Sequence, residues 1–200
     1  MHDEDVYRLI LILGFAAVCP FGLYHRLKSQ ATGEKLDRRQ EGLFILLTLR
    51  PIAAARMVGV LLYVFDPAWM AWSSMGLPGW LRWGGVGVGV VAAVLLIVVF
   101  HTLGTNITDT VVTRANHTLV TRGPYRWVRH PFYVAFALAV LADSLVTANW
   151  FLALTGGLTV TLIALRTKTE EEKLIDRFGD EYRNYMHRTG RFMPRRRRAD

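Results

Sequence analysis

Residues 131–165 read PFYVAFALAVLADSLVTANWFLALTGGLTVTLIAL, and Asp143 is the one charge among them. As a single helix this stretch would rise about 50 Å at roughly 1.5 Å per residue, far beyond a hydrocarbon core of about 30 Å. Two helices of about 16 residues each, turning between 143 and 149, fit a bilayer better. Spans this short imply local thinning or snorkelling flanks. The hairpin sets the number of spans, and so the side on which everything after it emerges.

Upstream, residues 83–103 form the cleanest apolar run, with glycines at 84, 85, 87 and 89 that let helices approach closely. Residues 66–82, with Trp69, Trp72 and Trp80 and with Trp83 beside them, read as an aromatic belt at a membrane interface. Residues 42–65 make an interrupted span carrying Arg50-Pro51 and Arg56. Either it kinks at Pro51, or an interfacial stub ends at Leu49 and the span starts at Pro51. Residues 6–24 form a first span, and the acidic MHDED before it lacks the positive region of a cleaved signal, so it reads as retained. Downstream, Leu174, Phe178, Tyr182 and Tyr185 recur at helical spacing within 166–191, which predicts an amphipathic helix at the interface, loosened by Gly179. The expected fold class is all-α: one polytopic membrane domain over 1–200, with about five transmembrane helices plus that C-terminal helix.

Composition agrees. Of 200 residues 52% are hydrophobic, the net charge is +8, and the charge is segregated: none falls in 86–100, while 195–198 are all arginine. Such segregation marks an integral membrane protein and makes nucleic acid an unneeded partner. With five spans, the connections 66–81 and 143–149 share one side and contain no Lys or Arg. The connections 25–41 and 104–130 and the tail share the other side and hold nearly all of them. The positive-inside rule then places the N-terminus outside, and the central loop and C-terminus in the cytoplasm. Cys19 is the single cysteine, which excludes an internal disulfide.

The central loop carries the chemistry. Residues 113–133, TRANHTLVTRGPYRWVRHPFY, are polar and arginine-dotted between two apolar runs, with His117, Tyr125, His130 and Tyr133 among them. Pro131 suits the first turn of a helix, where its missing N–H costs nothing. Free amides of that turn would point back at whatever the loop holds and favour an anion. Arg166 and Glu170, four apart, share one helical face where the last span ends. Singly, each feature reads as a loop residue or a solvated pair. The hairpin, however, brings both to one side. The histidines lack metal-ligand spacing, so no metal is expected.

The sequence HTLVTRGPYRWVRHPFY (117–133), followed after one hairpin by RTKTEEEKLIDRFGDEYRNYMHRTGRFMP (166–194), resembles the isoprenylcysteine carboxyl methyltransferase (ICMT) family and its phospholipid methyltransferase-like relatives. The resemblance covers roughly 103–194 and leaves out the first two spans. It implies a membrane enzyme that uses S-adenosylmethionine. Its cofactor contacts would fall on His117, Thr118, Leu119, Val120, Tyr125, His130, Pro131, Phe132 and Tyr133, with Glu170 closing the site. Arg166 matches the substrate-facing arginine. The chain departs from the family at Ala135, where glycine is usual; the extra methyl would narrow the adenosine or acceptor pocket.

Methyl transfer from a sulfonium is an in-line displacement and chiefly a positioning task. An isoprenylcysteine α-carboxylate, with a reference pKa of about 3.3–3.7, is already ionised at neutral pH and needs no base. Arg166 can hold it bidentately. The expected substrate is therefore a lipophilic or prenylated carboxylate entering from the bilayer. The rivals are a phospholipid amine, which would need Glu170, Glu171 or His130 as base and would be repelled by Arg166, and a small thiol. A membrane reductase using NADPH is a third, although GVGVGVV at 85–91 lies inside a span and reads as packing. A non-catalytic adaptor would leave the His130 and Glu170 sets unexplained.

Overall fold

The computed structural model describes residues 3–30, 43–104 and 119–195. Those residues form six α-helices: α1 (Asp3–Gln30), α2 (Leu43–Phe65), α3 (Gly79–Leu103), α4 (Pro131–Thr147), α5 (Trp150–Phe178) and α6 (Asp180–Arg188), with 3-10 turns at Pro67–Ser73 and Gly123–Arg126. The architecture is all-helical. α3 packs along α4, α2 and α4 each pack along α5, and α1 lies on α3.

Four helices (α1, α2, α3 and α5) are long and apolar enough to cross a membrane. α4 is apolar but has 17 residues, and at about 1.5 Å each these span about 25 Å, short of a core of about 30 Å. α2 runs unbroken through Pro51, so no stub ends at Leu49. α5 continues to Phe178 instead of ending near Arg166, so the expected C-terminal helix is the end of α5 plus α6, separated at Gly179 (φ +54°).

The hairpin turn lies at the C-terminal end of the expected 143–149 stretch. α4 persists through Asp143, and the chain reverses at Ala148 (φ 46°) and Asn149. Asn149 does three things there. Its Oδ1 accepts from the Leu152 amide at 3.1 Å and caps α5, and its Nδ2 donates to Met70 O at 3.2 Å and to Ser73 Oγ at 2.7 Å. The Met75 amide donates to Ala148 O at 2.6 Å. The two connections predicted to share a side are thus bonded to each other. A small core of Leu11, Val60, Tyr63, Met70 and Leu152 sits beneath them.

The bundle inverts the usual pattern of a water-soluble protein. Leu9, Leu13, Leu23, Val90, Val91 and Val94 face outward, while Ser144, Thr147, Thr155 and Thr159 are buried. Each buried hydroxyl donates to a carbonyl four residues back, at 2.6–2.8 Å, which satisfies it without water. The outward apolar surface fits hydrocarbon as its solvent. Asp143 belongs to this interior: it pairs with Arg56 of α2, whose Nη1 also donates to Leu152 O at 2.7 Å.

Candidate functional site

At the opposite end of the bundle from Asn149, the start of α4 meets the middle of the charged stretch of α5. Pro131 occupies the first helical position, and His130 is the N-cap residue with φ −122° and ψ 57°. The amides of Tyr133 and Val134 both bond the His130 carbonyl, at 3.1 and 3.2 Å. These two N–H groups therefore close the turn themselves, and the expectation that the helix start keeps its amides free for an anion does not hold for them.

The side chains converge instead. The Tyr133 hydroxyl donates to Glu170 Oε2 at 2.8 Å. The imidazole of His130 stacks on Tyr133, with ring centroids 5.4 Å apart and planes 6° from parallel, and its Nε2 lies 3.3 Å from Glu171 Oε1. Phe132 meets Phe100 of α3 at 5.7 Å. Arg166 is one turn before Glu170, and its charge, like that of Glu170, acts on the Tyr133 phenol. Tyr125 is buried beside the same carboxylate; burial, and then the Glu170 charge, push its phenol well above the ordinary range. It stays protonated at any physiological pH, a neutral hydrogen-bonding group.

Sequence reasoning placed Glu170, Arg166, Tyr125, His130, Pro131, Phe132 and Tyr133 together, and the structure brings these seven to one corner. Leu119 and Val120 lead into it, half-buried. His117 and Thr118 lie outside the described residues. Ala135 is wholly enclosed, 0% exposed, so its methyl is packed between helices and lines no open surface.

Glu171 was underrated by sequence, where it figured only as a possible base. It is 3% exposed and accepts from Arg129 Nε at 2.7 Å, pairs with Arg191, and faces His130. A carboxylate held by two guanidiniums is stabilised in its ionised form, is a poor base and acts as an anchor. Arg129 also donates to the carbonyls of Met186 and Thr189. The clue in the sequence was the basic residue directly before His130, but its partners lie 42 positions away on α5 and beyond it in 186–191.

The arrangement defines a polytopic helical membrane protein with a polar corner of paired carboxylates, stacked aromatic rings and arginines at one end of a helical hairpin. Comparison with known proteins carries this further. The model of the "Isoprenylcysteine carboxyl methyltransferase (ICMT) family" matches residues 85–176. The rat protein-S-isoprenylcysteine O-methyltransferase (Rattus norvegicus) is 32% identical over 126 residues, 62% of this chain and 44% of that protein. Methanethiol S-methyltransferase 1 of Bradyrhizobium diazoefficiens is 41% identical over 73 residues, 36% of this chain and 25% of that one. The matches span less than half the length of these two relatives. A solved structure of the eukaryotic intramembrane Ras methyltransferase ICMT shares the fold, with a TM-score of 0.51 at 20% identity over 93% of this chain and 72% of that one. The chain is related to the ICMT family, and the related segment contains α4, the hairpin and both glutamates.

Proposed function

We propose that the chain is an S-adenosylmethionine-dependent membrane methyltransferase that acts on a lipophilic anion reached from the bilayer. The observation that carries this reading is the Tyr133–Glu170 contact at 2.8 Å, with Arg166 one turn away. It supplies, at one end of a lipid-facing bundle, a fixed half-buried carboxylate and a guanidinium on the same helical face. The cofactor has an ammonium, a carboxylate and a sulfonium, and the donor set fits it. Glu170, oriented by the Tyr133 phenol, matches the cationic groups, and the rings of Tyr125, Phe132 and Tyr133 offer apolar faces to a nucleoside. Bound there, S-adenosylmethionine supplies an electrophilic methyl carbon.

The chain's own residues then do the positioning. Arg166 holds a carboxylate acceptor bidentately and repels a protonated amine, which disfavours a phospholipid amine. Glu171 is committed to two arginines, which removes one of the bases an amine would need. A carboxylate, as in an isoprenylcysteine, is therefore our first reading. A small thiol is the second, favoured by the resemblance to a methanethiol S-methyltransferase at 41% identity. In this reading the corner faces the cytoplasm.

Two assays test it with purified protein in lipid nanodiscs. S-adenosylhomocysteine should give saturable heat in calorimetry where NADPH gives none. Radiolabelled methyl groups should pass to a farnesylcysteine analogue, or to a small thiol, and not to phosphatidylethanolamine. Saturable NADPH binding without S-adenosylhomocysteine binding would replace this reading with a reductase.

A further inference from the structure

Residues 189–192 lie across the loop that leads into α4. The Arg129 amide donates to Gly190 O at 2.8 Å, the His130 amide to Arg191 O at 3.1 Å, and the Gly190 amide returns to Trp127 O at 3.3 Å. Val128 and Gly190 form a parallel bridge. Side chains close the same seam: Arg191 pairs with Glu171, Arg129 reaches both Glu171 and the Thr189 carbonyl, and Phe192 packs on His130 with centroids 5.9 Å apart. The Tyr185 hydroxyl, just before the strap, donates to Tyr125 O at 2.6 Å. Gly190 itself admits no side chain, since a Cβ there would run into the Met193 carbonyl oxygen.

Through Glu171 and His130 the strap reaches the proposed cofactor contacts. Glu171 fixes the His130 imidazole by one edge, Phe192 borders that ring, and the ring stacks on Tyr133, whose hydroxyl orients Glu170. Deleting a charged partner of a buried carboxylate leaves the remaining groups to rearrange, because an uncompensated buried charge is costly. Rearrangement at Glu171 passes to His130 by direct contact, and from His130 to Tyr133 and Glu170.

We propose that Arg191 is a positioning residue: the strap 189–192, latched by Arg191 on Glu171, holds His130 and hence the Tyr133–Glu170 pair in the geometry that receives the cofactor. It touches no reacting atom and acts through Glu171. The proposal rests on the methyltransferase reading for its consequence, and on geometry alone for the latch.

The experiment uses the full chain in nanodiscs as wild type, Arg191→Ala, Arg191→Lys and Gly190→Ala. In ¹⁵N-histidine spectra without ligand, wild-type His130 should show one ordered ring state. Arg191→Ala and Gly190→Ala should broaden or shift that signal, and Arg191→Lys should restore most of it. S-adenosylhomocysteine affinity should fall at least about tenfold in Arg191→Ala and recover at least threefold in Arg191→Lys, with thermal midpoints within a few degrees of wild type. An unchanged His130 signal in Arg191→Ala overturns the latch, whatever the ligand does. A changed signal with unchanged affinity overturns the positioning role and leaves a purely structural strap. Should Arg191→Ala fail to fold, Arg191→Lys, which keeps the charge and loses the guanidinium, is read the same way at reduced amplitude. If wild type binds no S-adenosylhomocysteine, the functional reading fails, while the latch still stands or falls on the His130 signal.

Discussion

Glu170 and Glu171 are adjacent in sequence and face different problems. Glu171 is enclosed by Arg129, Arg191 and His130, whereas Glu170 accepts from the Tyr133 hydroxyl and is half-buried. An approaching cation can reach Glu170 alone. Glu170→Gln removes the charge and keeps the shape, and the loss of a charge-assisted hydrogen bond is worth about 1.5–3 kcal/mol. Turnover in the radiolabel assay should fall at least about tenfold while the thermal midpoint barely moves. Arg166→Ala should lower turnover by a similar factor, mainly through KM for a carboxylate acceptor. Near-wild-type rates for both variants would remove these two residues from the site. Glu171→Gln should behave differently and lower the melting temperature, because it strands the buried Arg129 and releases the half-exposed Arg191. The sequence supplied the residue types and spacing for Glu170. It could not reveal which of two neighbouring carboxylates is enclosed, since that depends on Arg191 folding back across the loop.

Among the elements, the α4–α5 hairpin was legible in outline: an apolar run too long for one span must turn. Its turn falls at the far end of the expected 143–149 stretch, so the lone charge in the run is not itself the turn. In fact Asp143 is buried in α4 and paired with Arg56 of α2, 87 positions away. That pairing also explains the arginine in α2 and the glycine facing it, for a Cβ on Gly156 would strike the Arg56 guanidinium and Val140. Breaking a buried pair from one side is costly, about 3–5 kcal/mol, while replacing both partners by apolar residues can be neutral. Arg56→Met and Asp143→Leu should each lower the thermal midpoint in detergent strongly, and the double variant should recover at least half of the loss. Additive losses would mean the pair contributes nothing as a unit.

Within α6, Tyr185 titrates at the alkaline end. Burial pushes the Tyr185 phenol up to about 12, whereas an unfolded tyrosine titrates near about 10. The folded chain holds this proton more tightly, so the stability it contributes is complete below about pH 10 and is lost as pH rises toward 12. Thermal midpoints should be flat to about pH 9.5 and then fall, and Tyr185→Phe should flatten part of that fall.

At the scale of the whole molecule, the charge pattern divides the protein into two ends, and the contacts respect the division. The turn 148–149 bonds to the 66–75 connection, and the 127–130 loop bonds to 189–191. Arg8 and Arg82 look like exceptions, since both lie at the end predicted to carry no basic residues. Both are consumed there by helix carbonyls. Arg8 Nε donates to Val64 O at 2.6 Å at the end of α2, and Arg82 Nε to Val146 O at 2.9 Å at the end of α4, while Arg82 also pairs with Glu4 and stacks over Tyr7 at 3.7 Å. Arginines locked in this way do not weigh against the orientation set by the exposed charges. We therefore expect the strap end in the cytoplasm and the tryptophan end outside. Cysteines placed singly at Ser74 and at Arg195, in a Cys19→Ser background, test this in intact cells with a membrane-impermeant maleimide. Position 74 should label in intact cells and position 195 only after permeabilisation. The reverse pattern would put the corner outside, away from the cytoplasmic supply of a nucleoside cofactor, and would count against the methyltransferase reading itself.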